Sequence, residues 1–137
     1  MIIKQGLRCV LLGGMWLIIG SPLQAHHSLA GAYSLGKEAK VSGSFVAFRL
    51  VNPHSSMKLN VKNSDGSTTE WAMTGGGASA LARFGIGRGG PNTLNPGDNI
   101  TVTYVPPLDG KSPVGLLVAI TYPDGREVVF RRADQDD

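Results

Sequence analysis

From Glu38 to Phe130 apolar residues recur at every second position in short runs, and each run stops at a glycine, proline or Asx turn signal. A period of two belongs to strands, so this patterning restricts the chain to an all-β fold with little helix. Met57, Leu59 and Val61 alternate with Lys58, Asn60 and Lys62, the pattern of a half-buried strand. Asn63-Ser64-Asp65-Gly66 then reads as a hairpin turn, with Gly66 free to take positive φ. Thr68 to Met73 follows as a third strand, with Trp71 on the face that Thr69 and Met73 share. Earlier, Val41 to Val51 is apolar on both faces, Val41, Phe45, Ala47 and Val51 on one and Val46, Phe48 and Leu50 on the other. Such a run, with Gly43 near its start, predicts a long strand that bends between two sheets. Asn52-Pro53 ends it.

Ala78 to Phe84 is the one helix candidate after residue 25, with Gly85 in the position that closes a helix C-terminus. A fourth strand is expected over 99–105. Two more, over 114–122 and 127–130, flank the Pro123-Asp124-Gly125 turn. Strands one to three, a short helix, then strands four and five with a sixth added is the OB order. The expected domain is therefore a small antiparallel OB-like β-barrel of five to six strands over residues 38–132. An SH3-like or other small barrel and a sandwich are the alternatives. Residues 26–37 read as an N-terminal arm and 133–137 as an acidic tail.

The first 25 residues stand apart. Lys4 and Arg8 precede an apolar run, VLLGGMWLII, then Ser21-Pro22 and a small residue, Ala25. This is the order of a secretory signal, which predicts cleavage after Ala25 and a periplasmic or secreted protein. The alternative is an uncleaved anchor. Removing 1–25 takes Cys9, and it takes Lys4 and Arg8 but no acid. Thirteen basic against 10 acidic residues become 11 against 10, a net charge of +1 in place of +3. The basic balance of the whole chain is then poor evidence for a nucleic-acid partner.

Cleavage after Ala25 would also make His26 a terminus. Its free amine and ring nitrogen chelate one ion together, and a further imidazole completes a T-shaped nitrogen set suited to Cu(II). His54, in Asn52-Pro53-His54, is the expected third donor, because His27 adjoins His26 and points elsewhere. Zinc would want a fourth ligand such as His27 or a carboxylate. The plainer account leaves all three histidines solvated. Gly85-Ile86-Gly87-Arg88-Gly89-Gly90 spells GxGxxG, yet it follows a helix and runs into Pro91 where a dinucleotide site needs a strand before and a helix after. It reads as a flexible loop with Arg88 solvated. Asp65, Asp98, Asp109 and Asp124 sit in turns, and no serine has a nucleophile-elbow context, so no catalytic residue is assigned.

His26-His27-Ser28, Asn52-Pro53-His54, the Asp65-Gly66 hairpin, Glu70-Trp71, the Leu81 to Gly85 helix end, Pro96-Gly97-Asp98, Pro107 to Gly110 and Asp124-Gly125 occur in that order. Together they resemble a family of small exported bacterial proteins of unknown function. The resemblance implies an exported β-rich domain and brings no activity with it. The chain departs from it in carrying Phe48-Arg49-Leu50-Val51 where the family tends to place an aromatic residue before Asn-Pro-His.

The leading expectation is a non-enzymatic periplasmic binding or accessory domain, with a protein or small-molecule partner, holding copper through His26 and His54. The alternative is a metal-free structural or protein-interaction barrel. A copper oxidase ranks below both, since no flat aromatic surface is evident. Nucleic-acid binding is not expected given compartment, charge and few aromatic residues, and no membrane attachment is expected after cleavage.

Overall fold

A computed structural model of the protein describes residues 31–131. Its elements are β1 (Ala39–Arg49), β2 (Ser56–Lys62), β3 (Thr68–Thr74), α1 (Ala78–Arg83), β4 (Asn99–Val105), β5 (Val114–Thr121) and β6 (Glu127–Val129). β1 serves two partners. Its first half pairs antiparallel with β4, from Ala39↔Tyr104 to Ser44↔Asn99, and its second half with β2, from Ser44↔Asn60 to Arg49↔Ser56. β3 pairs with β2 and closes in parallel onto β5, from Ala72↔Val114 to Thr74↔Leu116. Five strands therefore form a closed barrel, with α1 between β3 and β4, and β6 extends β5 outside the ring. This is an OB-type barrel, as the alternation predicted. The bend in β1 needs Gly43, because a Cβ there would lie 2.6 Å from the Asn60 carbonyl oxygen.

The facing of β1 differs from a strict alternation. A bulge between Phe45 and Ala47 adds one residue, Val46, opposite β2. Phe45 and Phe48 consequently both turn to the core, with ring centroids 5.4 Å apart, while Ala47 is exposed rather than sharing the face of Phe45.

Met57, Leu59, Met73, Val102 and Ile120 are fully buried at the barrel centre, each contributing about 1.5–3 kcal/mol from the water it leaves. Trp71 packs edge-on against Tyr104 at their margin. A second cluster, Val105, Leu116, Val118 and Ala119, lies against Tyr33. The arm is thus tied down where the sequence reads as irregular. Tyr33 bridges to Pro107, the Ser34 N–H donates to the Pro106 carbonyl, and the Leu108 N–H donates to Ala32.

Helix α1 has one buried residue, Leu81, and ends in a Schellman closure. Gly85 at φ +73° donates to the Ala82 carbonyl, and Ile86 donates to Leu81. Both Leu81 and Ile86 are buried, which supplies the apolar contact that the motif favours.

Candidate functional site

The site begins with the six residues between β1 and β2, Leu50 to Ser55, and with what fixes them. Ser55 is 1% exposed, and its hydroxyl folds back on the chain. It donates to the Val51 carbonyl at 3.1 Å and accepts from the Val51 N–H at 3.3 Å. The Ser55 backbone bonds the segment after β3, its N–H to the Gly76 carbonyl at 3.1 Å and its carbonyl from the Gly75 N–H at 2.8 Å.

The other half of the loop closes the start of α1. Gly77, the helix N-cap, brings no side-chain acceptor. Asn52 supplies one from across the fold: its Oδ1 accepts from the Ser79 N–H and its Nδ2 donates to the Ser79 hydroxyl, both at 3.3 Å. The Val51 carbonyl accepts from the Ala78 N–H at 3.0 Å. Gly77 is required by this contact, since a Cβ there would sit 2.5 Å from Asn52 Oδ1. The Asn52–Pro53 peptide bond is cis.

His54 is therefore an exposed residue on a loop pinned at both ends. It is the one histidine among the described residues, and no group of three or more His, Cys, Asp or Glu side chains suited to a metal occurs among them. His26 and His27 lie outside the described residues, as do the proposed cleavage point and the acidic tail. The described arm runs along the β4–β5 connection, whereas His54 sits where β1 turns into β2. The two lie at different levels of the barrel.

Turn aspartates behave as their positions imply. Asp109 Oδ1 accepts from the Lys111 and Ser112 N–H groups at 2.9 and 3.0 Å, and the Ser112 hydroxyl donates to Oδ2. The hydroxyl above all, then the two amides, lowers its pKa to about 2. The Ser67 hydroxyl and amide lower Asp65 in the same way, and the Arg126 amide lowers Asp124. These carboxylates are consumed by their own turns.

The segment from Gly85 to Asp98 differs from the flexible loop that its glycines suggest. Ile86 and Leu94 are buried anchors, the Asn92 N–H donates to Gly85 at 3.0 Å, and the Thr93 hydroxyl donates to the Gly90 carbonyl at 2.8 Å and to that of Gly87. Asn92 is further held by donating to the Phe84 carbonyl at 2.6 Å, and its own carbonyl accepts from the Tyr122 hydroxyl at 2.7 Å. Spacing alone could not reveal this, because the two apolar anchors stand eight apart with no strand or helix period between them.

What the fold and loop define is an OB-type barrel with a braced, histidine-bearing β1–β2 connection. Residues 16–116 match a family of unknown function (DUF6152), and the chain belongs to that family. No curated protein matches it. Among solved structures, the mitochondrial single-stranded DNA binding protein Rim1 from S. cerevisiae is similar at 10% identity, over 64% of this chain and 93% of that one, with a TM-score of 0.46. The protein PriB from Ralstonia solanacearum is similar at 12% identity over 63% and 96%, TM-score 0.35. A structure of yeast Stn1 and Ten1 is similar at 12% identity over 72% and 45%, TM-score 0.36.

Proposed function

We propose that the protein is an exported binding or accessory domain that holds Cu(II) between the terminal amine and ring of His26 and the ring of His54. The observation that carries this reading is the exposed imidazole of His54 on a loop whose backbone is fixed by buried Ser55 and by Asn52. A ligand held in advance loses little conformational freedom on binding. Imidazole and a terminal amine are both nitrogen donors, which suits an all-nitrogen copper set.

The tether from the described arm decides whether the pair can meet. Register puts Val105 level with Leu116, Thr74 and Ser56, across β5, β3 and β2, so that Pro107 continues two residues past this level in one direction and His54 two residues in the other. Three strand spacings are about 15 Å and four residues of strand about 13 Å, a diagonal of about 20 Å. Seven residue steps from Tyr33 back to His26 reach about 23 Å when extended. The arm is long enough only if nearly straight, so its length becomes a variable to test.

Mass spectrometry of the exported protein should first give His26 as the terminus. Copper is then titrated into the wild type, His54→Ala, a form with one extra residue before His26, and a form lacking Leu29-Ala30. The wild type is expected to bind one Cu(II), and each alteration to weaken it at least tenfold. Equal, weak binding by all four would remove the site.

The metal-free reading, a protein-interaction barrel, is favoured by one observation. Leu108, at the tip of the β4–β5 connection, is 58% exposed beside the arm.

A further inference from the structure

The braced Gly85–Asp98 segment encloses a second feature. β1 has β4 beside it only as far as Ser44. Past that point Phe45 bonds to the segment instead, its N–H to the Asp98 carbonyl and its carbonyl from the Gly97 N–H, both at 2.8 Å. Beyond Phe45, strand and segment diverge and leave a groove of about 270 Å³. Val46, Phe48 and Leu50 form one wall, and Ile86, Leu94 and Pro96 the other. Arg88 stands at this groove between Gly87 and Gly89, both at positive φ. Among the described residues lining the groove it is the one charged side chain, is exposed, and has no hydrogen-bond or ionic partner.

The glycines explain how an exposed arginine comes to sit over an apolar groove. A Cβ on Gly90 would strike the Gly85 carbonyl, and one on Gly85 would lie 2.7 Å from the Pro91 ring. Only glycine lets the segment fold back so closely that its tip returns over β1. The GxGxxG spelling thus belongs to a tight return rather than to a phosphate cradle.

We infer that this groove binds a small amphipathic carboxylate, its hydrocarbon body between β1 and the Gly85–Asp98 segment and its carboxylate on the Arg88 guanidinium. Charge complementarity selects the head group: a single unpaired guanidinium, with no lining carboxylate to oppose it, pairs an anion through two N–H donors. Volume selects the body. An apolar cavity of about 150 Å³ accepts benzene, so 270 Å³ suits roughly ten carbon atoms. The inference is independent of the copper reading, since no histidine lines the groove.

The test is an NMR titration of the purified protein with decanoate and with decan-1-ol, in the presence of EDTA. Saturable shifts are expected at Val46, Leu50, Ile86 and Leu94 with both, and decanoate should bind at least fivefold tighter. Arg88→Gln, a surface change that leaves the barrel folded, should bring decanoate to the affinity of decanol. Val46→Trp should fill the groove and abolish both, with α1 and barrel signals kept as the folding control. Three results overturn the inference: no saturable shift at the groove, an unchanged preference in Arg88→Gln, or groove signals that move on dilution alone. The last would mean that a second copy of the chain occupies it.

Discussion

The two connections that meet α1 are both hydrogen-bonded, but only one of them adds buried apolar side chains. The β1–β2 connection meets the start of the helix and is fixed by hydrogen bonds, through Ser55 to Val51, Asn52 to Ser79 and backbone to Gly75 and Gly76. The Gly85–Asp98 segment leaves the end of the helix and adds two buried apolar pegs, Ile86 and Leu94, to its own hydrogen bonds. The first presents an exposed imidazole, the second an apolar groove with a guanidinium beside it. Polar bracing leaves a side chain in water and fixes only the backbone beneath it. Apolar bracing builds a surface that excludes water.

Breaking the apolar brace should cost most. Leu94→Ala removes a peg that is 7% exposed, and a cavity of that kind costs about 3 kcal/mol in unfolding free energy by urea denaturation. The groove should lose decanoate binding while His54 keeps its chemical shift. Breaking the polar brace should cost less. Ser55→Ala leaves the Val51 N–H without its partner, while the Val51 carbonyl keeps the Ala78 N–H, about 1 kcal/mol. Here the pattern should invert, with β1–β2 amides exchanging faster and decanoate binding retained. If both substitutions loosen both connections equally, α1 couples them and the contrast is wrong.

The strands were legible because their side chains obey a period of two, and turn residues marked their ends. Gly85 was legible as a helix terminator, since Schellman closure depends on residues adjacent in sequence. The bulge at Val46 was not, because inserting one residue changes facing without changing hydrophobicity. Nor was the partnership of Asn52 with Ser79, whose 27-residue separation only the closed barrel brings together. Asn-Pro-His marks His54 in the sequence, while the backbone bonds of Ser55 and the reach of Asn52 to Ser79 depend on segments distant in the chain. The same limit hid the groove. The GxGxxG pattern follows a helix and precedes no helix among the described residues, and local pattern carries no trace of Val46 and Leu50 across from it.

Asn52 refines the comparison further. Its two bonds at 3.3 Å are exposed and long, so Asn52→Ala should cost only about 0.5–1 kcal/mol, the range of a lost helix cap. The useful reading is local. Hydrogen exchange should quicken at Ala78 and Ser79 and at the β1–β2 connection, with the Gly85–Asp98 segment unaffected.

The smallest effect should come from Asp109, which offers a control at the end of the barrel remote from both connections. Its carboxylate is held by the Ser112 hydroxyl and two amides, and its pKa falls to about 2. A depressed folded pKa means the unfolded chain binds the proton more readily, so this stabilisation is present above the usual carboxylate value near 4 and disappears as pH falls through about 2. NMR titration of the Lys111 and Ser112 amides should therefore show a midpoint near 2, and Asp109→Asn should abolish it. At neutral pH the amide oxygen keeps the two N–H bonds and the NH2 group donates to the Ser112 hydroxyl in place of accepting from it, so at this exposed turn the urea midpoint should move little. The acid-dependent drop in that midpoint should shrink, because one of the groups that distinguishes folded from unfolded protonation is gone. Copper and decanoate binding should be unchanged at neutral pH. A change in copper affinity alone would instead place the arm, which bonds to Pro106 and Leu108, under the control of the β4–β5 turn.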